Sequence, residues 1–448
     1  MTRKVAKKQA VVVVHGMGEQ RPMRTVRAFV DAVWLADRSL TVLAGDGEKR
    51  VWVRPDARFA SHELSRIRTN RLGLQKGLDG RVGPGPATDF YEFYWQHLMG
   101  PSRWRNVVDW LVPLLWRRLG RVPVPLRSAW YALWVIVCVV LFCFVDGLLS
   151  KAGLGLFEPV FGEWATAMRM LVAFVSALIG VVGGTYGVLP YLGDAARYLD
   201  DAPGNVAARQ SIRAEGLRLL RALHESGEYD RIVLVGHSLG SVIAYDVLRL
   251  LWAEAELFDG EPPAEVAALE VAAVALRERP SRETRDAWLD AQRRLVDVLR
   301  REDRWLVTDL VTLGSPLAHA EVFLARDRAD FDGLVEERGL PVSPPVLEGG
   351  RVVFTRPDGT WRAHHGAPFA AVRWTNLYFP YDGALSGDLV GGPVRGLFGT
   401  GVLDVPVRSS RVGGLRCHVH YWRVDDNVGE HIVELQRAVD LGRASWPA

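Results

Sequence analysis

Cysteine is scarce in this 448-residue chain. Only Cys138, Cys143 and Cys417 occur, an odd and scattered set that excludes a disulfide framework and points to a reducing compartment. Neither sign of charge dominates. Lys and Arg total 55 against 52 Asp and Glu, leaving a net charge of +3. With no Lys/Arg block interleaved with aromatics, a nucleic-acid partner is not expected. CxxC and HExxH spacings are missing, so the sequence implies neither a metal centre nor a cofactor. The basic stretch Met1–Gln9 passes straight into Val11–Val14, a run too short for a signal-peptide core, and is read as the approach to a strand without an export signal. What is there is ordinary for a folded protein: 49% hydrophobic and 24% charged residues, in a chain long enough for two or three domains.

Short β-branched runs alternate with helical patterns. Ala10–Val14, Asp89–Gln96, Arg231–Val235, Leu306–Leu313 and Ala371–Phe379 read as strands, and Ser241–Trp252 carries apolar residues at helical spacing. That alternation predicts a mostly parallel sheet flanked by helices. The stretch Glu254–Arg304 reads as charged helix with Trp288, Leu295, Val298 and Leu299 near one face, and Arg351–Arg362 as a hairpin around Pro357-Asp358-Gly359.

Two apolar runs interrupt the pattern. Residues 128–145 are 18 positions without a formal charge, and 170–193 are 24 more. A helix needs about 20 apolar residues to cross a bilayer core. The pair therefore predicts an inserted hairpin within residues 101–200, between the two parts of the sheet-forming domain at 1–100 and 201–448. Arg103, Arg105, Arg117, Arg118, Arg121 and Arg127 crowd the approach to the first run. The positive-inside bias then places both termini and the remaining domain on the cytoplasmic side.

Chemistry concentrates at Gly236-His237-Ser238-Leu239-Gly240. A strand precedes this GxSxG match and an apolar helix follows it, the setting that a nucleophile elbow requires. Ser238 is the expected nucleophile of an α/β-hydrolase. In that fold an N–H after an early strand joins the N–H following the nucleophile to hold an oxyanion. Those donors are Met17, in His15-Gly16-Met17-Gly18, and Leu239. Acid and base follow in the order serine, acid, histidine. Asp382, just past the strand ending at Phe379, is the favoured acid, with Asp388 its competitor. His418 and His420 both stand as the base, because an extended stretch would put them on one face. His364, His365 and His431 are weaker alternatives.

Taken together, GHSLGSVIAYDVL, LGSPL at 313–317, NLYFPYD at 376–382, HVHYW at 418–422 and VVHGMGEQ at 13–20 resemble the DDHD-domain intracellular phospholipases and related lipase-like esterases. The resemblance covers about half of the chain, in order. It implies Ser238, Asp382 and His418 as a triad acting on lipid acyl esters, since the histidine separated by two residues from Tyr-Trp is His418. Two departures stand out: Gly383 follows the acid where proline is usual, and the apolar hairpin is not a standard part of that domain. The expected protein is a membrane-associated serine hydrolase. An acyltransferase, a small-ester or peptide hydrolase and a catalytically silent membrane scaffold are the alternatives.

Overall fold

Four consecutive valines favour an extended backbone, and Val11–Val14 lie at the heart of the sheet. The computed structural model describes residues 8–17, 21–43, 47–56, 58, 64–76, 82–99, 116, 119–122, 127–151, 153–168, 170–172, 174, 198–199, 203–258, 260–381, 387–388, 390–409, 414–424 and 428–442. Twelve strands occur among them, in chain order: β1 Lys8–Val14, β2 Val51–Pro55, β3 Ser65–Thr69, β4 Leu74–Lys76, β5 Val82–Pro84, β6 Thr88–Phe93, β7 Tyr229–His237, β8 Val307–Leu313, β9 Val353–Thr355, β10 Trp361–Ala363, β11 Arg373–Tyr378 and β12 Leu403–Pro406.

Eight of them form one sheet in the order β12-β11-β8-β7-β1-β6-β3-β2. From β12 to β6 every pairing is parallel, whereas β3 and β2 run antiparallel. Strands β6 and β8 are buried at every position and β1 at all but its first, as expected of parallel strands covered on both faces. At one edge, β2 is exposed throughout, and its Arg54 and Pro55 suit a strand that must not recruit another. The architecture is thus α/β, a mostly parallel sheet flanked by helices.

Helix Leu239–Glu254 follows β7 directly. The charged excursion resolves into two helices, Ala264–Glu278 and Arg282–Arg301. The second buries Trp288, Leu295 and Leu299, with Val298 half-buried at the margin of that face. Strands β9 and β10 form the hairpin around Pro357-Asp358-Gly359.

Two compact units emerge: residues 1–16, 20–98 and 209–448 in one, 17–19 and 99–208 in the other. The second contains helix Arg127–Ser150. Along it Val135, Leu141, Phe144 and Leu148 are exposed, while Asp146 is buried and accepts a hydrogen bond from the Leu156 N–H. The chain therefore turns back just past the helix end. Among the described residues the expected membrane-spanning hairpin is not found, and no helix there is long and apolar enough to cross a membrane. Run 128–145 lies within the helix just named. Of run 170–193, only 170–172 and 174 fall inside the described residues.

Candidate active site

Parallel strands all present their C-terminal ends at one edge of the sheet, where loops converge. His15 and Gly16 leave β1 there, Ser238 leaves β7, Gly314 leaves β8, and the chain from Phe379 to Asp388 leaves β11.

Ser238 stands between strand and helix at φ 52°, ψ −131°, a strained backbone for a residue with a side chain, costing about 1–3 kcal/mol. Surrounding contacts hold it there. The Ser238 N–H donates to the Leu313 carbonyl at 3.0 Å. Its own carbonyl accepts from the Ser241 N–H at 2.9 Å and the Ser241 hydroxyl at 2.6 Å. Ser241 Oγ in turn lies 2.6 Å from Ser315 Oγ, so the serine of the LGSPL motif braces the elbow from β8. Gly240 sits hard against the end of β1, where a Cβ would come within 2.3 Å of the Val14 and His15 carbonyl oxygens. Only glycine lets the helix start so close to the strand.

His418 Nε2 lies 2.9 Å from Ser238 Oγ. Its Nδ1 lies 2.9 and 3.0 Å from the two carboxylate oxygens of Asp388. The carboxylate on His418 is therefore Asp388, which corrects the preference for Asp382; that residue lies outside the described residues. Asp388 is fully buried and well supplied with donors. The Tyr421 hydroxyl donates to Oδ2 at 2.8 Å and the Val390 N–H to Oδ1 at 2.8 Å. Gly314, at φ 55°, passes so near that a Cβ would lie 2.8 Å from Asp388 Oδ2 and 3.1 Å from His418 Nδ1. Burial pushes the Asp388 carboxyl upward. The neighbouring His418, by charge and hydrogen bond, together with the Gly391 N–H and Tyr421, outweighs burial and holds the group well below the usual carboxylate range. The group stays ionised, as the partner of an imidazolium must be.

Residues 414–419 form a short 3-10 helix, and this separates the two histidines that an extended stretch would have placed together. His418 faces Ser238. His420 is buried, with its ring 5.6 Å from that of His431. His431 itself lies in helix Glu430–Val439, and His364 is buried beside the β9–β10 hairpin, its N–H donating to Val352. None of these three is bonded to Ser238.

The oxyanion candidates occupy defined positions. Leu239 is fully buried and is the first residue of its helix, so its N–H has no acceptor within that helix. A Cβ on Gly16 would lie 2.9 Å from Ser238 Cβ, which puts the loop after β1 against the nucleophile. Met17 is the next residue and is buried. His15 fixes the peptide between them: its Nδ1 is 2.8 Å from the Gly16 carbonyl, Trp95 N–H approaches its Nε2 at 3.3 Å, and the Trp95 ring stacks on it at 5.0 Å. Burial pushes His15 down to about 4, so the ring is neutral at pH 7.

Sequence reasoning missed three contributors. Tyr421 bridges the acid and the Phe379 N–H. Asn376, in the NLYFPYD run, donates to the Gly392 carbonyl at 2.9 Å and to Asp404 at 2.7 Å, tying the acid's loop to β12. His237, inside the GxSxG motif itself, touches the base. The signal for Asp388 was Gly387 together with the Gly391-Gly392 pair, marking a tight turn around a carboxylate. Compared with known proteins, the chain matches no family model, no curated protein and no solved structure.

Proposed function

We propose that the protein is a serine hydrolase of the α/β-hydrolase fold that cleaves carboxylic esters, with lipid acyl esters as its substrate class. The observation that carries this reading is one unbroken chain of contacts, Ser238 Oγ to His418 Nε2 and His418 Nδ1 to Asp388, built on a strained elbow at the C-terminal edge of a parallel sheet. His418 takes the Ser238 proton as Oγ attacks the ester carbonyl, and Asp388 orients the resulting imidazolium and stabilises its charge. The tetrahedral oxyanion is assigned to the Leu239 and Met17 N–H groups, each worth about 3 kcal/mol of transition-state stabilisation. Collapse expels the alcohol, which receives its proton from His418. Water, deprotonated by the same imidazole, then attacks the acyl-enzyme and releases the carboxylic acid and free Ser238.

Lipid as the substrate rests on the DDHD-like motifs and on the apolar surface of helix Arg127–Ser150. Exposed Tyr131, Val135, Leu141, Phe142, Phe144 and Leu148 run along it, and a helix this apolar around most of its circumference suits hydrocarbon better than water. Helix Arg127–Ser150 is assigned to attachment at a membrane surface.

Fluorophosphonate labelling of detergent-solubilised protein tests the reading. Wild type should label at Ser238, and Ser238→Ala and His418→Ala should lose labelling by at least about 10⁴-fold with folding intact. A well-folded wild type that does not label would overturn it in favour of a silent scaffold.

A further inference from the structure

A base that is mounted on an irregular segment needs something to hold its backbone. His418 belongs to a single short 3-10 turn, and its ring bonds to Ser238 and Asp388 restrain the imidazole alone. A third contact reaches the main chain: His237 Nε2 lies 2.7 Å from the His418 carbonyl oxygen. A carbonyl only accepts, so His237 Nε2 carries the proton and Nδ1 does not. His237 is the last residue of β7 and directly precedes Ser238, so this bond ties the base to the very strand that carries the nucleophile.

The surroundings leave His237 one position. Trp422 meets the ring edge-on at 4.6 Å, and the His418 ring is 5.1 Å away. On the remaining side a Cβ on Gly16 would come within 2.8 Å of His237 Nδ1. The ring is wedged among the elbow, the loop after β1 and the segment of the base, with 7% of the residue exposed. Burial, with the His418 charge adding to it, pushes its pKa down to about 3, which keeps it a neutral single donor through the working range.

We propose that His237 is a positioning residue for the base: its Nε2–H grips the His418 carbonyl and sets the distance from the imidazole to Ser238 Oγ. The proposal rests on the serine-hydrolase reading above. A misplacement of about 1 Å in a reacting group costs on the order of 10²-fold in rate, so a bond at this point governs efficiency although it touches no reacting atom.

The test compares full-length wild type, His237→Phe and His237→Gln. Phenylalanine keeps the ring against Trp422 without a donor, while the glutamine amide can replace the Nε2–H. Labelling of Ser238 by a fluorophosphonate should slow about 10- to 100-fold in His237→Phe, by the same factor across the pH plateau and with Tm near wild type. It should recover to within about threefold in His237→Gln. Equal loss in two well-folded variants, or wild-type labelling in His237→Phe, would overturn the proposal. A second measurement stands even where His237→Phe does not fold. Histidine-selective ¹⁵N NMR of wild type and His418→Ala should show one neutral ring protonated at Nε2, assigned by its loss in His237→Gln. It should persist in His418→Ala, because the acceptor is backbone; its absence from wild type would also overturn the proposal. Failure of wild type to label would sink the serine-hydrolase reading itself, and the NMR arm would still report on the bond.

Discussion

The same strands carry two buried polar networks, one at each end, and they are built to opposite specifications. At the entry to β7, Arg231 is fully buried. Its five N–H donors make five bonds: to Thr308, Gln9, Asp309, and the Val439 and Asp440 carbonyls, at 2.7–3.1 Å. Asp309 also takes Arg373, which reaches on to the Ala438 carbonyl. Two guanidinium groups thereby cap the end of helix Glu430–Val439, whose last carbonyls lack partners within the helix. At the exit of β7 the residues are Ser238, His418 and Asp388. There the backbone is strained and His418 keeps 15% of its side chain exposed. A network whose every donor is used can only hold. The network proposed to perform chemistry must keep its hydroxyl reactive, so it relies on neighbours such as Ser241, Ser315, Tyr421 and His237 for its geometry.

The largest expected effect tests the division of labour at the exit. Asp388→Asn should leave the fold intact and lower kcat by about 10⁴-fold, because the amide no longer stabilises the imidazolium and favours the wrong tautomer. Asp382→Asn should stay within about threefold of wild type. Steady-state turnover of a short-chain ester, with Tm as the control, separates the two. A large loss in Asp382→Asn with little in Asp388→Asn would reassign the acid.

The entry network should fail in the opposite sense. Arg231→Met strips Asp309 of one partner and orphans two helix carbonyls. Removing one member of a buried ion pair costs about 3–5 kcal/mol. The variant should therefore unfold at markedly lower urea concentration, while fluorophosphonate labels each remaining folded molecule at the wild-type rate. A slowed labelling rate in folded Arg231→Met would mean that the two ends are coupled, and the comparison would break.

These ends were unequally legible in the sequence. Ser238 announced itself because an elbow needs glycines at fixed offsets between a strand and a helix, and His418 through the His-x-x-Tyr-Trp run. Asp388 did not, because the length of the loop after β11 is set by where Tyr421 and Gly314 lie in space, and no local periodicity encodes that. Strand β11 points to the nearest carboxylate, Asp382, whereas the chain makes a further turn through Gly387, at φ 87°, before the acid. Spacing alone did not separate His418 from His420; the 3-10 helix at 414–419 does so in space. The Arg231 network was invisible: its partners come from residues 9, 308, 309 and 438–440, and an arginine opening a strand resembles a surface residue until the helix that covers it is placed. The two apolar runs show the converse. Composition alone suggested a spanning pair, whereas the helix at 127–150 carries near its end a buried Asp146 that ties back to Leu156.

Acid should also distinguish the two ends. His15 and His237, both at the exit, have pKa values pushed by burial to about 4 and about 3 against an ordinary 6.5, and His364, elsewhere, to about 4. The unfolded chain therefore binds more protons than the native one below pH 6.5, so stability falls as pH drops through the window from 6.5 towards 4. Glu92 opposes this. Burial raises it to about 7 from 4.5, so its contribution is present at low pH and is lost as pH rises between those values. Among the groups with large shifts in this window, three histidines stand against one carboxyl, which gives a loss of stability on acidification at about 1.4 kcal/mol per pH unit for each unmatched proton. Asp388, held low by His418, adds its own loss only below its ordinary 3.8. Amide exchange followed from pH 6.5 to 5 should show protection falling first in the segments around His15 and His237, with β7 near Arg231 protected to the end. Uniform loss of protection along β7 would show that the exit does not open separately, and the two networks would then answer to a single cooperative unit.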